Sequence, residues 1–228
     1  MSTPTTSATA GDVVADPRRF KALAVIVLAQ LMVVLDASIL TVAVPSLQSG
    51  LHISVADRQW VFTAYTLAFG GLLLLGGRIA DFVGRKRVFE IGLVGFTAAS
   101  VLGGLAQNAA MLFGARAAQG AFAALLAPAA LSLLTVTFTD AKERARAFGI
   151  YGAISGGAMS IGLIMGGVLT EWASWRWTLL VNVPIALVAV IGSRWAVTES
   201  KAEGEVHYDL VGTVTVTAGL VALVYGFT

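Results

Sequence analysis

Stretches of about 20 apolar residues recur along this chain between short polar segments, and a hydrocarbon layer about 30 Å thick is crossed by a helix of that length. Seven such stretches are legible, at 22–44, 60–77, 88–106, 109–134, 147–169, 177–197 and 210–227. Lipid offers backbone N–H and C=O groups no partner, so each stretch must close its own hydrogen bonds, which predicts helices throughout. Only 12% of the residues are charged and 57% are hydrophobic. A soluble domain carries roughly twice that charge. The expected fold class is therefore an all-α membrane protein. Glu90, close to the start of the third stretch, is expected at headgroup level.

Charge orders the stretches. Twelve of the 15 basic residues fall on one side when sides alternate, beginning with Arg18, Arg19 and Lys21, while Arg58 and Arg176 fall on the other and Arg116 lies inside a span. The positive-inside rule then places the N-terminus in the cytoplasm, as in a multi-pass protein of a bacterial inner membrane. The sequence pI of about 9.2 is thus an orientation signal, and no nucleic-acid partner is expected. Residues 1–19 are expected to form a disordered cytoplasmic tail, 20–198 a bundle of six helices, 199–208 a cytoplasmic linker and 209–228 a seventh helix after which the chain looks truncated. The apolar run after Lys21 resumes beyond Asp36 and continues to Leu47, which is too long for a signal peptide.

Several chemistries are disfavoured. There is no cysteine, and the two histidines, His52 and His207, lie far apart, so neither a disulfide framework nor a metal site is expected. Neither phosphate-binding glycine pattern occurs, which disfavours ATP hydrolysis. Most of the 25 glycines are read as helix-packing positions, Gly162 and Gly166 among them.

Asp36 and Arg116 are ionisable residues well inside spans, away from their ends. Asp36 sits in the middle of the first, where an aspartate costs about 2.5–3.5 kcal/mol on insertion scales. Either it faces a water-filled cavity and binds a proton or a cationic substrate, or it is a capping or packing carboxylate near a helix break. Arg116 lies in the fourth span with Gln119 three residues on, so both project from one helical face. A guanidinium stays charged, so its role would be to tune a nearby carboxylate. The alternative is snorkelling to the nearer interface. Between the second and third spans, Gly77, Asp81, Gly84, Arg85 and Lys86 mark a tight connection: the glycines suit turns and close approach, and Asp81 can accept from a helix N-terminus or pair with an arginine.

That connection resembles the Gly-x-x-x-Asp-x-x-Gly-Arg-Lys motif between the second and third helices of major facilitator transporters. Leu35-Asp36-Ala37-Ser38 through Pro45 is similar to the first-helix motif of the fourteen-helix drug:proton antiporters, and Arg116-Ala117-Ala118-Gln119-Gly120 to their fourth-helix motif. Trp175-Arg176-Trp177 followed by Asn182-Val183-Pro184 is similar to that subfamily's sixth helix. One departure stands out: where antiporters have Gly-Pro-x-x-Gly-Gly in the fifth helix, this chain has Leu163 between Gly162 and the pair Gly166-Gly167, which predicts a straighter helix.

The resemblance implies the N-terminal six-helix bundle of the major facilitator fold plus a seventh helix, and an exporter of hydrophobic or cationic small molecules. It implies that the proton is the coupling ion, with no cofactor and no enzymatic activity, and that Asp36, Arg116 and Gln119 carry proton coupling or substrate. The Asp81 connection would be a conformational switch, and Gly162, Gly166 and Gly167 a packing face. Expected partners are the bilayer, a small-molecule substrate, and a missing C-terminal half or a second copy. The alternative is a non-transporting membrane protein that binds partner helices.

Overall fold

A computed structural model describes residues 17–201 and 210–226. The parts of the expected tail and linker at 1–16 and 202–209, with His207, lie outside the described residues, as do Phe227 and Thr228. The described residues form helices α1 (Arg19–Leu51), α2 (Trp60–Val83), α3 (Arg85–Gly104), α4 (Ala109–Thr137), α5 (Ala141–Trp172), α6 (Arg176–Leu180), α7 (Asn182–Ala196) and α8 (Leu210–Gly226). Helices α6 and α7 together make one span, so six spans are long and apolar enough to cross a membrane. The seventh expected span corresponds to α8, a helix of 17 residues packed against α2.

The helices outrun the apolar stretches because hydropathy reports lipid and not helicity. Helix α5 starts at Ala141, within a charged segment of good helix formers, where Asp140 accepts hydrogen bonds from the amides of Lys142 and Glu143. Asn108 caps α4 by accepting from the Met111 amide at 2.9 Å. Helix α1 runs through Asp36 and Pro45 without a break. The expected connection at 77–87 is also helical except at Gly84, whose φ of 123° separates α2 from α3.

Two apolar clusters form the core, one at each end of the bundle. The first gathers Ile26, Ala29 and Met32 of α1, Phe89, Leu93 and Phe96 of α3, and Ala123, Leu126, Ala130 and Leu133 of α4. The second gathers Leu40, Ala43 and Leu47 of α1 with Leu112, Trp175 and Leu179. Between them each of these helices carries polar residues: Asp36 in α1, Ser100 in α3, Arg116 and Gln119 in α4, and Asn182 at the start of α7. The bundle is a polar layer sealed above and below by apolar packing.

Candidate functional site

Asp36 is the centre of that layer. Its Oδ2 accepts from Arg116 Nη1 at 2.6 Å, and its Oδ1 accepts from Gln119 Nε2 at 3.0 Å and Asn182 Nδ2 at 2.7 Å. Arg116 also donates from Nε to the Val61 carbonyl at 3.1 Å and from Nη1 to Gln119 Oε1 at 2.8 Å, and its guanidinium lies 4.6 Å from the Tyr65 ring centroid. Ser100 Oγ accepts from Gln119 Nε2 at 2.7 Å and Asn182 Nδ2 at 3.2 Å while donating to the Phe96 carbonyl. Five helices thus meet through one hydrogen-bonded set. No member of the Asp36, Arg116, Gln119, Asn182 and Ser100 group is more than 1% exposed.

This arrangement sorts the sequence alternatives. Among the described residues Asp36 is enclosed, and both of its carboxylate oxygens accept from donors on other helices. It is not at a helix break. Arg116 turns inward and does not snorkel. Within the set the carboxylate is the group that can take up and release a proton, since a guanidinium stays charged and amides do not titrate. A buried pair of this kind keeps its charges only because its lone pairs and N–H groups are satisfied. The exception is Asn182 Oδ1, which is buried without a partner.

Sequence reasoning missed Asn182, Ser100 and Tyr65 as members of the site. Asn182 was visible only within the sixth-helix motif, although an amide inside an apolar run is itself a signal of a buried partner. Ser100 gave no signal, because serines in apolar helices commonly bond the carbonyl four residues back, as Ser100 also does to Phe96.

In the connection between α2 and α3, Asp81 takes the second of its two expected roles. Asp81 Oδ1 accepts from Arg85 Nη2 at 3.0 Å and Nε at 3.2 Å, so it pairs across Gly84 with the arginine one turn away. The N-terminus of α3 is held by Glu199, which accepts from the amides of Lys86 at 3.0 Å and Arg87 at 3.2 Å, while the Arg85 amide donates to the Ser200 carbonyl. Gly77 lies inside α2 and makes no turn. The close approach falls on its neighbour Gly76, where an added Cβ would strike the Ala124 carbonyl of α4. Pro128 explains that contact: lacking an N–H, it leaves the Ala124 carbonyl without its helical donor, and α2 closes over the exposed oxygen. Gly120 of α4 packs in the opposite sense, on the Tyr65 carbonyl of α2, with no proline involved.

The sequence profile of the Major Facilitator Superfamily matches residues 26–224. The chain belongs to this superfamily. Among curated relatives, it is 55% identical over 212 residues to the puromycin resistance protein of Streptomyces alboniger, covering 93% of this chain and 42% of that protein. It is 48% identical to the cephamycin export protein of Amycolatopsis lactamdurans, covering 87% of this chain and 41% of that protein. It is 41% identical to the probable actinorhodin transporter of Streptomyces coelicolor, covering 91% and 36%. The chain spans about two fifths of the length of the relatives it matches. The fold is also that of a solved peptide transporter bound to sulfate, with a TM-score of 0.69 at 14% identity over 91% of this chain and 45% of the other.

As a major facilitator protein the chain is a multi-pass membrane protein, and its fifth helix can be judged against the motif. Gly162 sits on Ser38 of α1, so closely that a Cβ would overlap the hydroxyl, and a Cβ at Gly166 would lie 2.8 Å from the Ile39 carbonyl. Gly167 has nothing within 4 Å, so of the three glycines it does not pack within this bundle. Leu163 is exposed and α5 is continuous through it. Arg176 does more than mark a loop: it donates to the carbonyls of Gly104 at 2.9 Å and Ala106 at 2.7 Å, closing the end of α3. Glu90 accepts from Ser193 of α7 at 2.7 Å.

Proposed function

We propose that this chain supplies one bundle of a secondary active exporter that moves hydrophobic or cationic small molecules out of the cell in exchange for protons, with Asp36 as the group that takes up and releases the proton. The observation that carries this reading is the fully enclosed Asp36–Arg116 pair at 2.6 Å, which no packing requirement of an apolar bundle explains. Protonating Asp36 removes the negative charge that faces Arg116 and leaves Gln119 and Asn182 donating to a neutral acid. The contacts among α1, α4 and α7 weaken, and the balance between conformations shifts by the difference in proton affinity between them. Arg116 is the fixed charge of the relay and Gln119 orients the carboxylate. The resistance and export functions in the relatives' names support the cargo class.

The distribution of basic residues supports a cytoplasmic N-terminus and an inner-membrane location. The Asp81–Arg85 pair and the Glu199 clamp beside Gly84 form the switch connection at the cytoplasmic end. The outward face of α5 supports a second bundle as partner, because Gly149, Gly152, Gly156, Gly157 and Gly167 all have open space where a Cβ would stand. Such faces admit close helix approach in lipid. In this fold the substrate site lies between two bundles, so either a C-terminal half or a second copy would complete it.

The test is proton-gradient-driven dye transport in liposomes holding this chain together with a C-terminal half. Asp36→Asn should reach the membrane and lose gradient-driven transport, because an amide carries no exchangeable proton near neutral pH. Undiminished coupling in that variant would reduce Asp36 to a structural group.

A further inference from the structure

At the end of the bundle where α1 begins and α7 ends, two cavities share Arg194. The smaller, about 490 Å³, is lined by Arg18, Lys21, Arg194 and Trp195. The larger, about 520 Å³, lies between α3, α4 and α7, with Arg87, Glu90 and Arg194 at its mouth and Ile91, Val94 and Phe122 further along. Its floor is set at Gly95, where the absent side chain lets the Phe122 ring lie against α3. From Arg87 to Gly95 the groove follows α3 for about 12 Å, at 1.5 Å of rise per residue.

We propose that these cavities form a binding site for an anionic glycerophospholipid, with its phosphate at Arg194 and one acyl chain in the groove. Among the described residues, Lys21, Arg87 and Arg194 bring positive charge to the lining of the two cavities, and Glu90 is the carboxylate there, itself engaged by Ser193. Glu199 lies 3.9 Å from Arg87 and offsets part of that charge, while Lys86 Nζ reaches to 3.5 Å from the Arg194 carbonyl and adds to it. Nearby Arg19 and Arg85 are committed to Glu143 and Asp81. Among the described residues no carboxylate forms an ion pair with Arg194 or Lys21. A guanidinium matches phosphate oxygens with two parallel N–H donors.

The groove selects a lipid over a free phosphate. Its wall residues Ile91 and Val94 are exposed apolar side chains of α3, which give an acyl chain an apolar surface to lie along beside the basic residues. Trp195, 80% exposed, stands beside the basic cavity as an interfacial ring does at the headgroup level. A cluster serving only to orient the chain needs charge near the interface but no apolar groove leading from it. Basic pockets between membrane helices are established headgroup sites in general. The site lies away from Asp36 and does not depend on transport.

Trp195 provides the readout. The full chain is placed in phosphatidylcholine liposomes containing a minor fraction of brominated phosphatidylglycerol or, in the other arm, brominated phosphatidylcholine, and the Trp195 contribution is obtained by difference from Trp195→Phe. Brominated phosphatidylglycerol should quench Trp195 preferentially, and Arg194→Gln should lower that preference about fivefold, as expected for about 1 kcal/mol per basic side chain near a membrane surface. Lys21→Gln, at an exposed position, should lower it by a similar factor. Equal quenching by the two lipids, or a preference unchanged in both variants, would overturn the site. So would quenching that persists in full in Trp195→Phe.

Discussion

Removing both charges of the central ion pair together should cost less than the two separate removals added up. Arg116→Met deletes the 2.6 Å contact to Asp36, the donor to the Val61 carbonyl and the donor to Gln119 Oε1, and it leaves a carboxylate buried with only the amides of Gln119 and Asn182 for company. Breaking a buried pair from one side costs about 3–5 kcal/mol. Asp36→Asn strands the guanidinium instead and should fall in the same range, softened because the amide oxygen still accepts from Arg116. In the double variant no uncompensated charge remains, so its cost should fall short of the sum of the singles by about 2–3 kcal/mol, at the upper end of coupling between contacting residues. The assay is reversible unfolding in detergent–lipid micelles at neutral pH, followed by helical circular dichroism for all four proteins of the cycle. Additive losses, within about 0.5 kcal/mol, would mean that the two groups do not act as a pair in the membrane.

The helix crossings and caps offer two further tests. Gly76→Ala places a methyl group on the Ala124 carbonyl and should destabilise the α2–α4 contact by about 1–3 kcal/mol, whereas Gly114→Ala, with nothing within 4 Å, should be neutral or stabilising; parallel melting of both variants checks this. Glu199→Ala removes the acceptor of the Lys86 and Arg87 amides and should cost about 0.5–2 kcal/mol, as loss of a helix cap does, with faster hydrogen exchange confined to the first turn of α3.

The fold was largely legible because lipid makes one demand that repeats along the chain: each span must be apolar and long. Where the structure departs from the sequence reading, a second force acts that hydropathy does not measure. Helix α5 starts six residues before its apolar stretch because Lys142, Glu143 and Arg144 are good helix formers in water, and Asp140 caps them. The 77–87 segment is helical because only Gly84 leaves helical backbone space there. At the site, Asp36, Arg116 and Gln119 were legible because charge and amide groups in an apolar span are costly. Their partners were harder to see. Glu199 reaches its amides from 112 and 113 residues away, and no local spacing reports such a contact. The distinction between Gly76 and Gly77 depends on which way α2 is rotated against Pro128, which is a property of packing and not of composition.

The enclosure of Asp36 bears on how coupling would operate under the proposed function. Met32 and Ile39, each one turn from Asp36 along α1, are fully buried, and the two apolar clusters close the layer at both ends. A proton or a cationic substrate therefore reaches the carboxylate only if helices separate. Separation exposes groups that satisfy one another in the closed layer, and its cost is largest while Asp36 is ionised, because Arg116 then loses a charged acceptor as well as the Val61 carbonyl. Water admitted by the opening must replace both. Once Asp36 is neutral the electrostatic part of that cost is gone, so proton occupancy and helix separation favour each other by thermodynamic linkage. The same linkage works in reverse: a cationic molecule that enters the opened layer stabilises the ionised carboxylate and expels the proton. Under the proposed function, exchange would follow from one carboxylate with two mutually exclusive partners, and Arg116 would make the empty, ionised layer prefer to close.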